Sequence, residues 1–368
     1  MKLTRFALVA SLACTLLTAL DVHAALDVGA SVVKLRTSCQ ENGTTLGNCF
    51  TYLTTLNTWI WSTRNPSASA PLTVEIGAGT FQGQFTCSNR GYVSLRGAGM
   101  QNTTIENGAS VIETTNCVNL VFSHMTLRNT SGVTATITLG GNTYWDNIEI
   151  DALGYAWIDS PAYACIAKGK HYWFSSRLIS HSAYGFSTSA YYNACDESWF
   201  FGSEITAIGR SNTPSVTPVV AHGGEIHVYG SVIRAMTTAS IITSVTAAKS
   251  LNNGMMHIHG TGIDVISTEA NNIVALEASG TSEIHANESS YNLSTGAGGS
   301  AKRISKKDTG HIHAPYLWEH IPTVPNFSSV TGADMTVITN TSGNHPHLVV
   351  YDSGCPTKWF DTTANACM

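Results

Sequence analysis

Charged residues are scarce in this chain of 368 residues. Asp, Glu, Lys and Arg together make up 12% of it, against about a quarter in ordinary soluble domains. The net charge is −5 and there is no polybasic cluster, which argues against a nucleic-acid partner or an anionic membrane surface. Helical periodicity is also scarce, and this disfavours a strand-helix-strand barrel or a doubly wound sheet.

Apolar residues, in contrast, reach 43% of the chain, and Gly, Ser, Thr and Asn are abundant. This composition supplies ample core material but gives a surface rich in hydroxyl and amide groups. The length suits either two ordinary domains or one elongated repeat domain, and the composition favours the repeat domain.

Residues 1–24 have the pattern of a signal peptide. Lys2 and Arg5 precede an apolar run, 6–20, and Val22-His23-Ala24 is a cleavage-type tripeptide. The run is shorter than the roughly 20 apolar residues that a membrane-spanning helix needs. The sequence therefore predicts a secreted or periplasmic protein with no transmembrane segment.

Eight of the nine cysteines follow this segment. They are Cys39, Cys49, Cys87, Cys117, Cys165, Cys195, Cys355 and Cys367. An even number in an exported chain indicates disulfides. Cys87 and Cys117 are 30 positions apart, and so are Cys165 and Cys195.

Short apolar segments recur at intervals of 27 to 30 residues, and equivalent positions in them form columns. The first column is Tyr172, Trp199, His227, His257, His285 and His313. The second column is Tyr144, Phe174, Phe201, Tyr229, His259 and Asn287. The third column is Ile148, Leu178, Ile205, Ile233, Ile263 and Tyr291.

Within each segment, apolar and polar or aromatic residues alternate, which is the period of two of a β-strand. Gly, Ser, Asn and Thr clusters between the segments are turn material. A repeat of this length predicts an all-β fold, a right-handed parallel β-helix with at least six coils. An antiparallel sandwich or propeller is the alternative, but its spacing would be less constant.

Adjacent coils of such a solenoid lie about 4.8 Å apart, within the range of Cα separations across a disulfide. Residues one repeat apart can therefore be bridged. We predict the pairs Cys87 with Cys117 and Cys165 with Cys195, which leaves Cys39 with Cys49 and Cys355 with Cys367 as local loops. Another connectivity among these cysteines remains open at this point.

The predicted boundaries are 1–24 for the signal peptide, 25–72 for an N-terminal cap, 73–314 for the β-helix and 315–368 for an irregular C-terminal cap with a disulfide loop. The N-terminal cap contains an amphipathic helix, expected within 48–64. The C-terminal cap is rich in proline and is expected to have short strands near 335–338 and 348–351.

Two stretches resemble the first coils of the pectin-lyase-like superfamily, which includes pectinesterases. They are 72–85, LTVEIGAGTFQGQF, and 93–105, VSLRGAGMQNTTI. Their glycines stand where tight turns join strands. The resemblance implies a parallel β-helix and no particular chemistry.

No catalytic residue of that superfamily is carried over. The paired aspartates expected of pectinesterases and polygalacturonases are missing, and Ala221-His222-Gly223-Gly224 is only distantly similar to a polygalacturonase Gly-His-Gly turn. Trp157-Ile158-Asp159 resembles a pectate lyase motif, but Ser160 stands where the motif has histidine.

The first two columns are flanked by apolar residues, so their rings are expected to face outward. A row of exposed rings usually indicates a binding surface, and flat ring faces suit the C–H faces of sugars. The predicted binding residues for a polysaccharide or oligosaccharide are Tyr172, Trp199, Tyr229, His259, His285 and His313. The alternative is that the C-terminal cap buries this row as ordinary packing.

A uronate lyase or esterase would need a base and a cation near the sugar carboxylate. Arg234 would serve as the carboxylate clamp, His227 or His257 as the base, and Asp264 could hold calcium. A plain exposed ion pair between Arg234 and Asp264 is the simpler interpretation. The histidine column also admits zinc, although we find no carboxylate at a recognisable spacing to complete a coordination set.

Three functions follow from these features. The first is a secreted enzyme, a lyase or esterase, that acts on a uronate-containing polysaccharide. The second is a non-catalytic glycan-binding or adhesion protein, and the third is a structural surface protein.

Overall fold

The computed structural model of the protein describes residues 30–314, except 42–43, 131–136, 140, 155–162, 166–168, 183–187, 211–212, 214, 239–243 and 270. Beyond 314 it describes only five short strands, and side chains there and at 137–139, 153–154 and 163–165 are outside the description. The described chain is nearly all β. Its strands wind into a parallel β-solenoid with three faces.

The first face carries the candidate site. Ten of its strands follow one another from coil to coil, and they are Leu72–Ile76, Gly91–Arg96, Cys117–Asn129, Gly141–Gly154, Lys170–Phe174, Glu197–Phe201, Glu225–Tyr229, Met255–His259, Glu283–Asn287 and His311–His313. Val32–Leu35 precedes them and pairs with Cys49–Phe50 and with the first of the ten.

The second face follows a corner of the chain. Its strands are Gly79–Gln82, Thr103–Asn107, the second halves of Cys117–Asn129 and Gly141–Gly154, and then Arg177–Ser182, Glu204–Gly209, Val232–Thr237, Gly262–Ser267 and Ser290–Ser294. The third face consists of Phe85–Ser88, Ile112–Thr115, Ile137–Leu139, Tyr163–Cys165, Tyr191–Asn193, Ser215–Val216, Val219–His222, Ser244–Leu251, Asn272–Ser279 and Ser300–Lys307.

All neighbouring strands on these faces are parallel, so the predicted β-solenoid is confirmed. The three predicted columns are stacked with two errors. Asp146, not Tyr144, lies opposite Phe174, and Ile150, not Ile148, lies opposite Leu178. A shift of two residues leaves the inward and outward alternation unchanged, which is why the sequence pattern could not reveal it.

The corner between the first and second faces has a repeated backbone geometry. Gly202, Gly230 and Gly260 have φ of 56°, 53° and 55°, a left-handed conformation that glycine adopts at little cost. The next residue in each coil is Ser or Thr, and its hydroxyl donates to the carbonyl two residues earlier, as from Ser231 to Tyr229 at 2.9 Å. Ser231 Oγ also accepts the backbone N–H of Ser203 in the preceding coil, at 3.0 Å. These buried hydroxyls therefore join adjacent coils.

The interior contains a stack of large rings. Phe122, Trp145, Trp173 and Phe200 are fully buried, with ring centroids 4.3, 4.6 and 5.7 Å apart and planes within 13° of parallel. Because strand pairing places like residues over one another, each ring packs on the ring of the next coil.

The N-terminal end is covered by a helix, Leu53–Trp59, which continues as a π-helical turn, Ile60–Arg64. It is shorter than the predicted 48–64, because Cys49–Phe50 forms a strand and Tyr52 is extended. Leu56 and Ile60 are fully buried against the first coil. Gln40–Glu41 and Thr44–Thr45 pair antiparallel.

Two of the predicted disulfides are present, Cys39 with Cys49 and Cys87 with Cys117, with Cα separations of 5.7 and 6.3 Å. Cys87 lies opposite Thr114 in the next coil, so the coil here is 27 residues long. The disulfide partner of Cys87 is Cys117, which follows Thr114 by three residues. Cys195 is also disulfide-bonded. The side chains of Cys165, Cys355 and Cys367 are outside the described residues.

The C-terminal strands are Glu319–Ile321, Ile338–Asn340, His347–Tyr351, Trp359–Asp361 and Ala366–Cys367. The first two are parallel and the others antiparallel. The predicted signal peptide, 1–24, lies outside the described residues, so export stays a prediction with which the disulfides are compatible. None of the described helices has the length and apolar character needed to cross a membrane.

Replacing Trp173 with Ala should lower the free energy of unfolding by about 3 to 5 kcal/mol, because it leaves a cavity inside the ring stack. Chemical denaturation followed by circular dichroism measures this. Phe174 is the next residue on the strand and points outward with 39% exposure, so Phe174→Ala is the control and should cost about 1 kcal/mol or less. Equal losses in the two variants would contradict the assigned inward and outward faces.

Peptide mapping without reduction should recover Cys165 joined to Cys195, and Cys355 joined to Cys367. The first pair follows from the strand register, which places Cys165 opposite Asn193, two residues before Cys195. Recovery of Cys195 joined to any other cysteine would contradict this pairing.

Candidate functional site

A continuous ladder of stacked rings runs along the outward side of the first face. It consists of Tyr144, Tyr172, Trp199, His227, His257, His285 and His313, and we call it the ring ladder. Successive ring centroids are 4.6 to 5.2 Å apart and the planes lie within 4° to 20° of parallel. The strand register produces this ladder, since each ring lies opposite the next across one pair of strands.

A second, shorter ladder lies beside it. Phe174, Phe201, Tyr229 and His259 stack at 5.2 to 5.4 Å, with planes within 10° of parallel. The two ladders touch where the Tyr229 hydroxyl lies 3.5 Å from His227 Nδ1. All the binding residues predicted from the sequence therefore lie on one face, in two adjacent columns.

Stacking determines which part of each ring reaches solvent. Within the ring ladder, the two faces of each ring except the first and last are covered by the neighbouring rings. The edges of these rings therefore point outward. We expected free ring faces that sugars could cover, but the geometry instead offers a strip of ring edges with phenol hydroxyls and imidazole nitrogens. Such a strip can donate and accept hydrogen bonds along its length.

Both ladders are partly accessible. Tyr144 and Phe174 are each 39% exposed, whereas the His227 side chain is 15% exposed and the His257 side chain 25%. Side chains of 315–368, which the sequence left as an alternative cover for this face, are outside the described residues.

Carboxylates border the ring ladder, and the sequence analysis missed them. Glu225 Oε1 lies 3.1 Å from His227 Nε2 and 3.0 Å from His257 Nε2. Glu283 Oε2 lies 3.2 Å from His285 Nε2. The signal was available as Glu-Ile-His, which occurs at 225–227 and 283–285 and puts both polar side chains on the same side of a strand.

Burial lowers the pKa of the His227 imidazole, and the Glu225 carboxylate only partly opposes this. Burial also lowers the pKa of His257, and the neighbouring His227 adds to the effect. Both imidazoles are therefore mainly neutral near pH 7, so that the carboxylates leave this face acidic.

Arg234 and Asp264 lie on the second face, one coil apart. Arg234 Nε is 3.2 Å from Asp264 Oδ2 and its Nη1 is 2.9 Å from Glu204 Oε1. Arg177 in turn contacts Glu204 at 3.0 Å and Glu149 at 2.7 Å. These side chains form an ion-pair chain with alternating signs, and the guanidinium predicted as a carboxylate clamp is engaged by two protein carboxylates.

Two groups of side chains among the described residues bring three metal-ligating atoms together. They are Glu225 with His227 and His257, and Glu283 with His285 and His313. Asp264, the residue we considered for calcium, belongs to neither group.

A buried histidine, His171, lies on the inner side of the first face. His171 is fully buried, and its Nδ1 lies 2.7 Å from the hydroxyl of Thr143, which also accepts the indole N–H of Trp145 at 2.7 Å. Burial lowers the pKa of His171 to about 3. This imidazole therefore stays neutral in the folded protein over most of the acidic range.

The chain matches no family model, and no curated protein is significantly similar to it. Solved structures similar to it include a pectin methylesterase variant in complex with a hexasaccharide, with 11% identity, 75% of this chain and 92% of that chain covered, and a TM-score of 0.36. The A-module of the mannuronan C-5 epimerase AlgE4 of Azotobacter vinelandii has 13% identity, 67% and 88% coverage, and a TM-score of 0.29. ORF18 of Geobacillus virus E2 has 10% identity, 87% and 66% coverage, and a TM-score of 0.46.

The strand topology itself establishes the β-solenoid. At these identities the similarity carries no activity over to this chain.

Acidification below pH 6.5 should destabilise the protein partly through His171. The unfolded chain takes up a proton near 6.5, whereas the folded chain does so only near 3, so the free energy of unfolding falls as the pH falls between these values. One such group contributes about 1.4 kcal/mol per pH unit. Denaturation at a series of pH values measures this slope.

His171→Asn should reduce that slope, because Asn keeps an acceptor near Thr143 but does not titrate. Ser198→Ala is the matched control and should leave the slope as it is, because Ser198 is buried opposite His171 in the next coil and does not titrate. The absolute stability can fall in either variant, so only the slope is informative. An unchanged slope in His171→Asn would contradict the low pKa.

Proposed function

We propose that the first face binds an extended, uncharged polysaccharide along the ring ladder. The observation that carries this proposal is the continuity of the ladder, in which seven stacked rings present one edge per coil. Outward positions of an inert solenoid would be expected to hold Ser, Thr, Asn or Lys. A row of aromatic and imidazole rings instead indicates recognition.

A linear polymer suits a linear array. Coils of the solenoid repeat about every 4.8 Å, so donors and acceptors on successive ring edges recur at a constant spacing. An extended glycan also presents hydroxyl groups at a regular spacing of similar length, one sugar after another. Several weak hydrogen bonds along the chain then add up to useful affinity, although each contributes only about 1 kcal/mol.

Charge on this face favours an uncharged ligand. From Gly141 to His313 the described outward positions of the first face hold four carboxylates, Asp146, Glu197, Glu225 and Glu283, but one ammonium group, Lys170. Lys170 lies 2.8 Å from Glu197, so its charge is already compensated. A polyuronate would meet net repulsion here, whereas a neutral glycan would not.

The catalytic hypothesis of a uronate lyase or esterase needs a free cation to hold the sugar carboxylate. Arg234, the residue we assigned to that role, has two carboxylate partners. His227 and His257 remain candidates for a base, since burial favours their neutral form. These contacts favour glycan binding over glycan cleavage.

The test is titration calorimetry with a panel of neutral, polyuronate and cationic polysaccharides, with a chelator present so that no metal takes part. Release of unsaturated sugars is followed in parallel by ultraviolet absorbance. We expect a neutral member of the panel to bind and polyuronates to bind more weakly. Binding to no member of the panel would exclude the proposal and leave the structural surface protein as the remaining hypothesis.

Tyr172→Phe combined with Tyr229→Phe should weaken glycan binding on the order of tenfold, because two hydroxyls at ring edges are lost while the stacked rings remain. Stability should change by no more than about 1 kcal/mol. The matched control is Tyr192→Phe, which removes a hydroxyl from the third face and should leave binding unchanged. Equal binding by the double variant and the control would contradict recognition by ring edges.

A further inference from the structure

Two stacked histidines and one carboxylate converge at the middle of the ring ladder. His227 and His257 belong to adjacent coils and their rings lie 4.8 Å apart at 8°. Glu225 is two residues before His227 on the same strand, and a single oxygen, Oε1, lies near the Nε2 atoms of both imidazoles. From this convergence we infer that Glu225, His227 and His257 form a binding site for a divalent transition-metal ion, with Zn²⁺ as its representative.

The donor atoms are already close to the spacing that such an ion requires. Zn²⁺ bonds of about 2.0 to 2.1 Å at tetrahedral angles hold neighbouring donors roughly 3.3 Å apart. Glu225 Oε1 is 3.1 Å from one Nε2 atom and 3.0 Å from the other. All three donor atoms lie within 4.8 Å of one another, but the two imidazole planes are only 8° from parallel, so the rings must tilt towards each other before both Nε2 atoms bind one ion.

The surroundings of His227 fit a ligand role. A metal-binding Nε2 atom requires the proton of the neutral ring on Nδ1, where an acceptor usually orients it. The Tyr229 hydroxyl lies 3.5 Å from His227 Nδ1 and can accept that proton after a small approach. Tyr229 is itself held between Phe201 and His259 in the second ladder, so the acceptor is fixed in place.

The donor set selects the class of metal. Two imidazoles and one carboxylate suit Zn²⁺ and related transition metals, whereas Ca²⁺ and Mg²⁺ prefer sites made only of oxygen ligands. Three protein ligands leave a coordination position for water or another ligand. The partial exposure of these side chains allows an ion to enter from solvent.

The same arrangement recurs two coils further on, with Glu283, His285 and His313. Met255 occupies the carboxylate position in the coil between them, so the two groups do not share a carboxylate. His313 is exposed and the His285 side chain is 33% exposed, more than the His227 and His257 side chains at 15% and 25%. We therefore expect the first group to bind Zn²⁺ more tightly than the second group does.

The experiment uses the purified full chain without a histidine tag, stripped with a chelator and desalted. Titration calorimetry with Zn²⁺ near neutral pH should show one tight site and a weaker second one. Ca²⁺ and Mg²⁺ should show neither. Co²⁺ provides an independent signal, because its visible absorption reports nitrogen ligation and a low coordination number.

Glu225→Gln and His257→Asn should each weaken the tight site at least tenfold and remove most of the Co²⁺ absorption. The matched control is His222→Asn, because His222 lies on the third face and belongs to neither group. It should change the affinity by less than threefold. Circular dichroism and a thermal unfolding curve establish that each variant remains folded.

Equal Zn²⁺ affinity in the wild-type chain and Glu225→Gln would overturn the site, as would an equal loss in His222→Asn. Equal affinity for Ca²⁺ would also overturn it. The inference does not rest on glycan binding, since these titrations contain no polysaccharide.

Discussion

In-register parallel pairing of successive coils is the constraint on which the rest of this protein depends. Each residue lies about 4.8 Å from its equivalent in the next coil, and this relation holds at once on three faces. The corner after the first face maintains it, because a left-handed residue and a buried hydroxyl recur there in coil after coil. A change in coil length is absorbed in the turns, since intervals of 27 to 30 residues produce the same register.

In-register stacking places similar side chains next to each other in adjacent coils. The consequences differ between the buried core and the outward surface of the solenoid. Inside, the rings of Phe122, Trp145, Trp173 and Phe200 fill the width of the solenoid and face one another. Outside, the same rule covers the ring faces that would otherwise be available to a ligand. A surface that looks suited to sugar stacking in the sequence becomes, in three dimensions, a surface that recognises through ring edges.

The architecture could be predicted from the sequence because the repeat is long and nearly constant in length. The sequence identified the columns from Phe174 to Asn287 and from Leu178 to Tyr291, and it paired Cys87 with Cys117. It placed Tyr144 and Ile148 two residues away from their true partners, because alternation fixes the face of a residue but not its partner. The geometry of the corner determines which residues are opposite each other. At this corner Asn147 has φ of 53°, and asparagine marks a left-handed corner less clearly in a sequence than glycine does.

The candidate site was predicted less completely than the fold. The rings were found by their repetition, whereas Glu225 and Glu283 were missed because Met255 interrupts their column and hides the repeat. The two ion pairs of Arg234 could not be predicted either, because Glu204 precedes Arg234 by 30 residues and lies in a neighbouring column. Contacts between columns depend on side-chain direction, which a register argument does not supply.

Electrostatics explains why the outer column is built from histidine. Two like charges about 5 Å apart repel by roughly 3 kcal/mol at an effective dielectric constant of 20. Four lysines in one column would therefore repel at every step. The charged column of the second face avoids this by alternating in sign, as Glu149, Arg177 and Glu204 do. Histidine escapes the constraint because it can remain neutral while keeping donor and acceptor nitrogens. It is thus one of few side chains that can repeat in four consecutive coils, stack as a ring, and still present polar atoms to a ligand.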